Sequence, residues 1–394
     1  MLVPLEEIER RRRGIQAKMA ASGLDALFVV QRVDLFYFSG TAQHGALFIP
    51  AEGDPLLFIR RYFKRARAES PLHHAFEIDS LRHIPARLHD FHLHPIECLG
   101  MELDVMPVNE FRFFRNLLQP KRTVDASPLI LGLRSIKSQW EIDRMENTAV
   151  MSAAVFDFMS QNIRPGISEM EFAGLAETFA RRIGHAGKLR VRDYQTEGYP
   201  WHVLSGESGG MVGMLDAPAS GRGTSPAFPC GAGSKLLEKN EPVMVDFGSV
   251  MNGYHLDETR MFALNSMPPK AMSASRAAIE IQQALMEQTL PGAVCGELFD
   301  VALSAAQKSG LADAFLGPPG HKVHFVGHGV GAELVEPPFI ARNKKDRLEA
   351  GMTLALEPKF VFEGEFAAGI ESVVQVTGQG GRPISKTPVK VFLC

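Results

Sequence analysis

Five side chains in this sequence would carry chemistry if the fold brought them together: Asp246, Asp257, His328, Glu357 and Glu371. The two aspartates lie in VMVDFGSVMNGYHLDETRMF, residues 243–262, where two β-branched-rich apolar runs meet at Asn252-Gly253. That dipeptide is the strongest short-range hairpin signal. A two-residue loop sets Met251 opposite Tyr254 and, counting outwards, Asp246 opposite Thr259. Asp257 then shares a face with Asp246 on the neighbouring strand, at a diagonal Cα spacing of about 7–8 Å. Two unpaired carboxylates so placed would repel each other and lose hydration, so a positive charge belongs between them. A pair of metal ions would supply that charge. Asp-Phe-Gly also occurs in protein kinases, but no His-Arg-Asp catalytic loop accompanies it here.

The other three candidates lie downstream. His328 sits in HFVGHGVGAELVEPP, residues 324–338, where Gly327, Gly329 and Gly331 let the backbone approach a ligand. No Lys-Ser/Thr follows, so this is not a nucleotide loop. Glu357 ends the apolar strand of TLALEPKF, and Glu371 lies inside the strand pattern GIESVVQV. Acidic residues in apolar strands are costly unless paired or coordinating. Two Asp, two Glu and a neutral His carry four negative charges, which two divalent cations balance. Oxygen-rich ligation with one imidazole suits manganese, iron, cobalt or zinc. Such a pair, about 3.5–4 Å apart, would activate a bridging water and polarise a carbonyl.

The elements that must position these groups are those of an ordinary soluble chain. At 394 residues, two or three domains are expected. A net charge of −3 gives no reason to expect nucleic acid, and no apolar run is long enough to span a bilayer. The charged start, MLVPLEEIERRRRGIQ, has no apolar h-region, and four scattered cysteines without a C-x-x-C pair read as reduced thiols of a cytoplasmic protein. In the N-terminal third an amphipathic helix over 6–22, its Arg10–Arg13 run facing water, is followed by apolar runs at 24–30, FYFSG, ALFIP and 55–60, which argue an α/β domain. The six histidines from His73 to His94 lack acidic or cysteine partners at ligand spacing and read as a solvated helix and loop.

A helix starting near Ser138 and ending at Pro165-Gly166, then a second capped by Ser168 and closed at Gly184, set out a plan that returns 126 residues later at Pro291-Gly292 and Gly310. One domain of two similar halves follows, with the site on their shared sheet. The stretch 216–235 is rich in Pro, Gly and Ser and reads as a long loop over the rim, a candidate lid.

The order Asp246, Asp257 within Asp257-Glu258-Thr259-Arg260, Gly327-His328-Gly329-Val330-Gly331, Glu357-Pro358 and Glu371 resembles the superfamily of methionine aminopeptidases, prolidases, aminopeptidases P and creatinases. The resemblance implies an α+β chain: a pita-bread catalytic domain of two pseudo-symmetric halves over 138–394, behind an N-terminal α/β creatinase-like (ribonuclease-H-like) domain over 1–132. It implies that Asp246 binds one metal through both oxygens, Asp257 and Glu371 bridge two, and His328 and Glu357 complete the other's shell. It also implies that Glu357 handles the proton of the nucleophile, and that the chain forms a homodimer. His324 fits the prolidase-like His-x-x-Gly-His pattern, and Thr259 is a candidate hydrogen-bond donor to a ligand.

Two substrate-clamp histidines usual in the family's peptidases are missing, their positions taken by Gly213 and Val335. Losing one such donor can cost about 10²–10³ in rate. His202, His255, His321 or His324 are the candidate substitutes. The leading expectation is a dinuclear metallohydrolase of the Xaa-Pro aminopeptidase or dipeptidase kind. The alternatives are a creatinase-like C–N hydrolase or lyase acting on a small non-peptide metabolite, and a non-catalytic binding protein, which would be expected to have lost ligands.

Overall fold

The computed structural model describes residues 1–193, 201–215 and 217–394. They form two compact units: Met1–Arg134 with Arg192 and Asp193, and Ser135–Val191 with the remaining described residues. No helix among the described residues is long and apolar enough to cross a membrane.

In the first unit, the helix Leu5–Ala21 turns Ile8, Ile15 and Met19 into the core. Its arginine run is not the uniform wet face expected. Arg11 is fully buried, paired with Glu7 at 2.7 Å and donating to Tyr37 O at 2.8 Å. Six strands, β1 (Ala26–Val29), β2 (Gly45–Pro50), β3 (Leu56–Ile59), β4 (Ala75–Glu77), β5 (Cys98–Met101) and β6 (Arg122–Asp125), form one sheet in the order β4-β3-β2-β1-β5-β6. FYFSG, read as a strand, is instead the end of a helix, Arg32–Ser39. The Gln31 side chain accepts from the Val33 and Asp34 amides, and Gly40, with φ of 79°, stops the helix. A short apolar run does not distinguish strand from helix; the cap at its start decides. The histidines between 73 and 94 are exposed apart from the half-buried His74, as a solvated segment requires.

The second unit bears out the repeat. The helix Gln139–Asn162 opens with a capping box in which Ser138 and Glu141 bond each other's amides. After it the helix Glu169–Arg182 is matched, 126 positions on at both ends, by Cys295–Lys308, which follows Pro269–Gln288. Ser168 caps as expected, but Glu171 lies 3.8 Å from Arg164 and does not complete a second box. The strands are β7 (Trp201–Ser205), β8 (Pro242–Met251), β9 (Tyr254–Ala263), β10 (Phe325–Gly329), β11 (Glu336–Ala341), β12 (Thr353–Leu356), β13 (Lys359–Phe362), β14 (Phe366–Gly369), β15 (Ser372–Thr377), β16 (Gly380–Pro383) and β17 (Val391–Leu393). They form sheets of order β17-β9-β8-β7 and β11-β10-β12-β15-β16, with β13-β14 as a ribbon.

Each helix pair packs on one sheet. Val155, Phe156, Phe172 and Ala176 meet Val203, Val245, Phe247 and Phe262 in one half. Ile281, Leu285, Phe299 and Ala302 meet Val326, Leu354, Leu356 and Val374 in the other. The loop 217–235 runs irregularly and is fastened where the Gly233 amide and both Ser205 donors bond the buried Glu169 carboxylate. Asp216, at its start, is outside the described residues.

Candidate metal centre

The hairpin has the predicted register. Met251 pairs with Tyr254 and Asp246 with Thr259, with Asn252 and Gly253 both at positive φ as a tight turn of this hand requires. Asp257 faces Gly248, so no side chain stands opposite it. Period-two alternation sends Asp257 and Thr259 to one face and Glu258 and Arg260 to the other. There the fully buried Arg260 donates to the Thr387, Pro388 and Glu371 carbonyls.

The two glutamates occupy breaks rather than strand interiors. β12 stops at Leu356 and β13 resumes at Lys359, while β14 stops at Gly369 and β15 begins at Ser372. Leu356 pairs with Ser372 and Lys359 with Gly369, so the register carries Glu357 opposite Glu371. The expectation of Glu371 within a strand is corrected: its backbone leaves the ribbon to pair with Thr259, amide to carbonyl both ways at 3.1 and 3.3 Å. That exchange joins the hairpin of the first half to the break in the second. β10 brings His328 beside Ala355 of β12. The glycines around it serve strand packing: a Cβ at Gly329 would stand 2.4 Å from Pro337 O, and one at Gly327 2.6 Å from Ala355 O.

All five predicted groups converge. His328 Nε2 lies 3.6 Å from Glu357 Oε1, 3.8 Å from Asp257 Oδ2 and 4.0 Å from Glu371 Oε1. These gaps are too long for hydrogen bonds. His328 Nδ1 is 2.9 Å from Gly329 O, a bond that places the proton on Nδ1 and leaves the Nε2 lone pair towards the carboxylates. Glu371 Oε1 is buried without a hydrogen-bond partner. Asp257, His328 and Glu371 offer ligand atoms within 4.8 Å of one another, the one such group among the described residues. Lone pairs facing one another in a buried setting fit a divalent cation. Burial, then the Glu371 and Asp246 charges, raises the Asp257 pKa well above the carboxylate range.

The sequence reading missed Lys359. Its buried ammonium lies 2.8 Å from Glu357 Oε2, 2.9 Å from Asp246 Oδ2 and 3.0 Å from Glu371 Oε2. Burial opposes its charge, but those carboxylates raise its pKa well above the usual value. Burial works upward on Asp246 too, and Lys359 with His202 brings it below its ordinary value. Glu371 is pushed up to about 8, chiefly by burial, against the pull of Lys359. The available signal was parity: residues 357 and 359 share a face of an extended chain.

The remaining candidates separate. Thr259 Oγ1 donates to Glu371 Oε2 at 2.9 Å, as a ligand-orienting residue would. His202 is directly across from Asp246, its pKa lowered by burial. His255 turns its ring to the backbone. Its Nε2 accepts from the Arg190 amide at 3.0 Å and its Nδ1 is 3.1 Å from Gly331 O, so both nitrogens are taken by backbone. Burial lowers its pKa to about 4. His324 and His321 are exposed before β10. At Gly213 a Cβ would stand 2.9 Å from that of Ser220, which leaves no room for the usual histidine.

With the geometry established, comparison defines the class. Metallopeptidase family M24 matches residues 143–378, and the creatinase/prolidase N-terminal domain matches residues 11–136. The chain belongs to metallopeptidase family M24, a hydrolase with the pita-bread fold and a creatinase-type N-terminal domain, as the sequence led one to expect. It shares 26% identity over 376 residues with Xaa-Pro dipeptidase of Pyrococcus furiosus, covering 94% of this chain and 95% of that one. Among solved structures, an Xaa-Pro dipeptidase from Bacillus anthracis superposes with a TM-score of 0.83 at 22% identity, over 98% of this chain and 100% of that one. The prolidase of Pyrococcus horikoshii OT3 gives 0.80 at 21% identity, over 96% and 99%.

Proposed function

We propose that this chain cleaves short peptides, Xaa-Pro dipeptides first among them, with a water activated at a centre built from Asp246, Asp257, His328, Glu357 and Glu371. Residues 138–394 form the catalytic domain and residues 1–132 a separate N-terminal one. The observation that carries the reading is the buried, partnerless Glu371 Oε1 facing His328 Nε2 beside Asp257. A divalent ion held there, whether manganese, cobalt, zinc or iron, would supply Lewis acidity and a water of lowered pKa. Glu357 has one oxygen tied to Lys359 and the other facing His328, so a carboxylate that lines the ion's site is also placed to take and return the proton of the nucleophile. Thr259 holds Glu371 in orientation, and His202, across from Asp246, is the proposed donor to the substrate in place of the missing clamp. The resemblance implies two ions and a homodimer, and the scattered cysteines a cytoplasmic setting; Lys359 bears on the first of these.

A panel of Xaa-Pro and other dipeptides, assayed with manganese or cobalt, tests the reading. Hydrolysis is expected, and Asp246→Asn should lower it by at least about a hundredfold. Unchanged turnover would remove Asp246 from the mechanism, and light scattering on the same sample reads the oligomer. A second reading, a C–N hydrolase or lyase acting on a small non-peptide metabolite, is favoured by Gly213 and Val335 at the clamp positions. Silence of the whole panel with metal bound would promote it.

A further inference from the structure

We infer that Lys359 stands in for one of the two metal ions, so that the centre takes a single divalent cation on Asp257, His328, Glu357 and Glu371. This rests on the reading that the centre holds a divalent ion at all. An ammonium has three donors, and here each meets a different carboxylate, Asp246, Glu357 and Glu371, at 2.8–3.0 Å. The donor count is complete, and the side chain is 3% exposed. By the resemblance, Asp246 holds the first metal together with the bridging Asp257 and Glu371, and two of those three carboxylates, Asp246 and Glu371, are the ones Lys359 bonds. In this chain one oxygen of each already belongs to a cation covalently fixed to β13. A divalent ion on the same oxygens would stand against that ammonium in a buried setting that screens like charges poorly.

The division runs through single residues. Glu371 Oε2 receives Lys359 and Thr259, while Oε1 has no hydrogen-bond partner and faces His328. Glu357 Oε2 receives Lys359, and Oε1 lies 3.6 Å from His328 Nε2. Each glutamate thus gives one oxygen to the lysine and turns the other to the histidine, which leaves one ligand set and no second. The backbone is arranged for it. Lys359 pairs across the ribbon with Gly369, and a Cβ there would stand 2.5 Å from the lysine Cγ, so only glycine lets the stem lie across to the carboxylates.

Metal content decides it. The wild-type protein, saturated with manganese and dialysed, is expected to hold about one ion per chain by elemental analysis, with the six-line electron paramagnetic resonance spectrum of an isolated ion. Lys359→Ala removes the ammonium and should raise the content to about two with an exchange-coupled spectrum. Lys359→Met, which keeps the stem, serves the same purpose if the alanine variant does not fold. His328→Ala should lose the wild-type ion. About two ions in the wild type, none, no increase in either lysine variant, or an ion retained in His328→Ala would each overturn the inference. Peptide hydrolysis is scored separately: silence on peptides with one ion bound counts against the peptidase reading and leaves the stoichiometry standing.

Discussion

Two clusters of buried charge, one in each unit, show how an ion pair differs from a ligand set. In the N-terminal unit, Asp34 is fully buried, with Arg134 Nη1 2.6 Å from one oxygen and Arg192 Nη1 2.6 Å from the other. Arg192 reaches on to Asp104 at 2.6 Å. Glu102 accepts the Val30 and Gln31 amides on one oxygen, and no donor points at the other. Burial with the Asp34 charge raises its pKa well above the carboxylate range, which favours the neutral, protonated acid. Counting Glu102 as neutral, two carboxylates meet two guanidinium groups and the cluster closes on itself. In the catalytic unit four carboxylates meet one ammonium. Lys359 satisfies three oxygens, and among the atoms left over Asp257 Oδ2, Glu357 Oε1 and Glu371 Oε1 all face His328 Nε2. A set that stays open after every internal pairing is made has a ligand to bind.

The comparison is tested most severely by breaking the closed cluster. Removing one partner of a buried pair leaves an uncompensated charge and costs about 3–5 kcal/mol. Arg134→Met should therefore lower stability by that amount in equilibrium urea unfolding while leaving the metal content per folded chain unchanged. A loss below about 1 kcal/mol would mean that Asp34 does not depend on the arginine.

Much of the open cluster was legible in the sequence because its signals are local or periodic. Asn252-Gly253 sets the hairpin register by turn geometry alone, and that register puts Asp246 opposite Thr259. The helix repeat was legible because Gly184 and Gly310, like Gly166 and Gly292, stop or turn the chain at positive φ in both halves. Lys359 was overlooked because a lysine after Glu-Pro reads as a solvated charge; its burial depends on Gly369, ten positions on and across a ribbon. The surroundings of His255 were illegible for a related reason. Strand parity gives the face a residue points to, but not whether backbone from elsewhere, here the Arg190 amide and Gly331 carbonyl, has already claimed its ring. The closed cluster left no readable pattern, since Asp34, Glu102, Arg134 and Arg192 are distant in sequence and each looks like an ordinary surface charge.

A smaller change sharpens the open side. Among the described residues Thr259 Oγ1 is the one hydroxyl bonded to the Glu371 carboxylate, at 2.9 Å, and it acts on the oxygen that also holds Lys359. Thr259→Val keeps the strand and its backbone exchange with Glu371 but removes that donor. Loss of such an orienting bond typically weakens metal binding by about 10–100-fold. Calorimetric titration of the metal-free variant with manganese should show a drop of that order with the number of sites unchanged. An unaltered affinity would show that Lys359 alone orients the glutamate.

The smallest expected effect distinguishes a proton from a cation as the closing charge. With its folded pKa raised above the unfolded value, Glu102 keeps a proton in the folded chain that it has lost in the unfolded one. Its contribution is fully present below the unfolded pKa and is lost as pH rises through the folded one. One such group changes stability by at most about 1.4 kcal/mol per pH unit. Glu102→Gln retains an acceptor for the Val30 and Gln31 amides and carries a permanently neutral amide in place of the acid, so it cannot titrate. The difference in unfolding free energy between variant and wild type should therefore shift in the variant's favour as pH rises from 5 to 8. A difference that stays flat over that range would mean that Glu102 holds no proton and that Asp34 and Glu102 are kept apart by some other group, which would make the N-terminal cluster the open one.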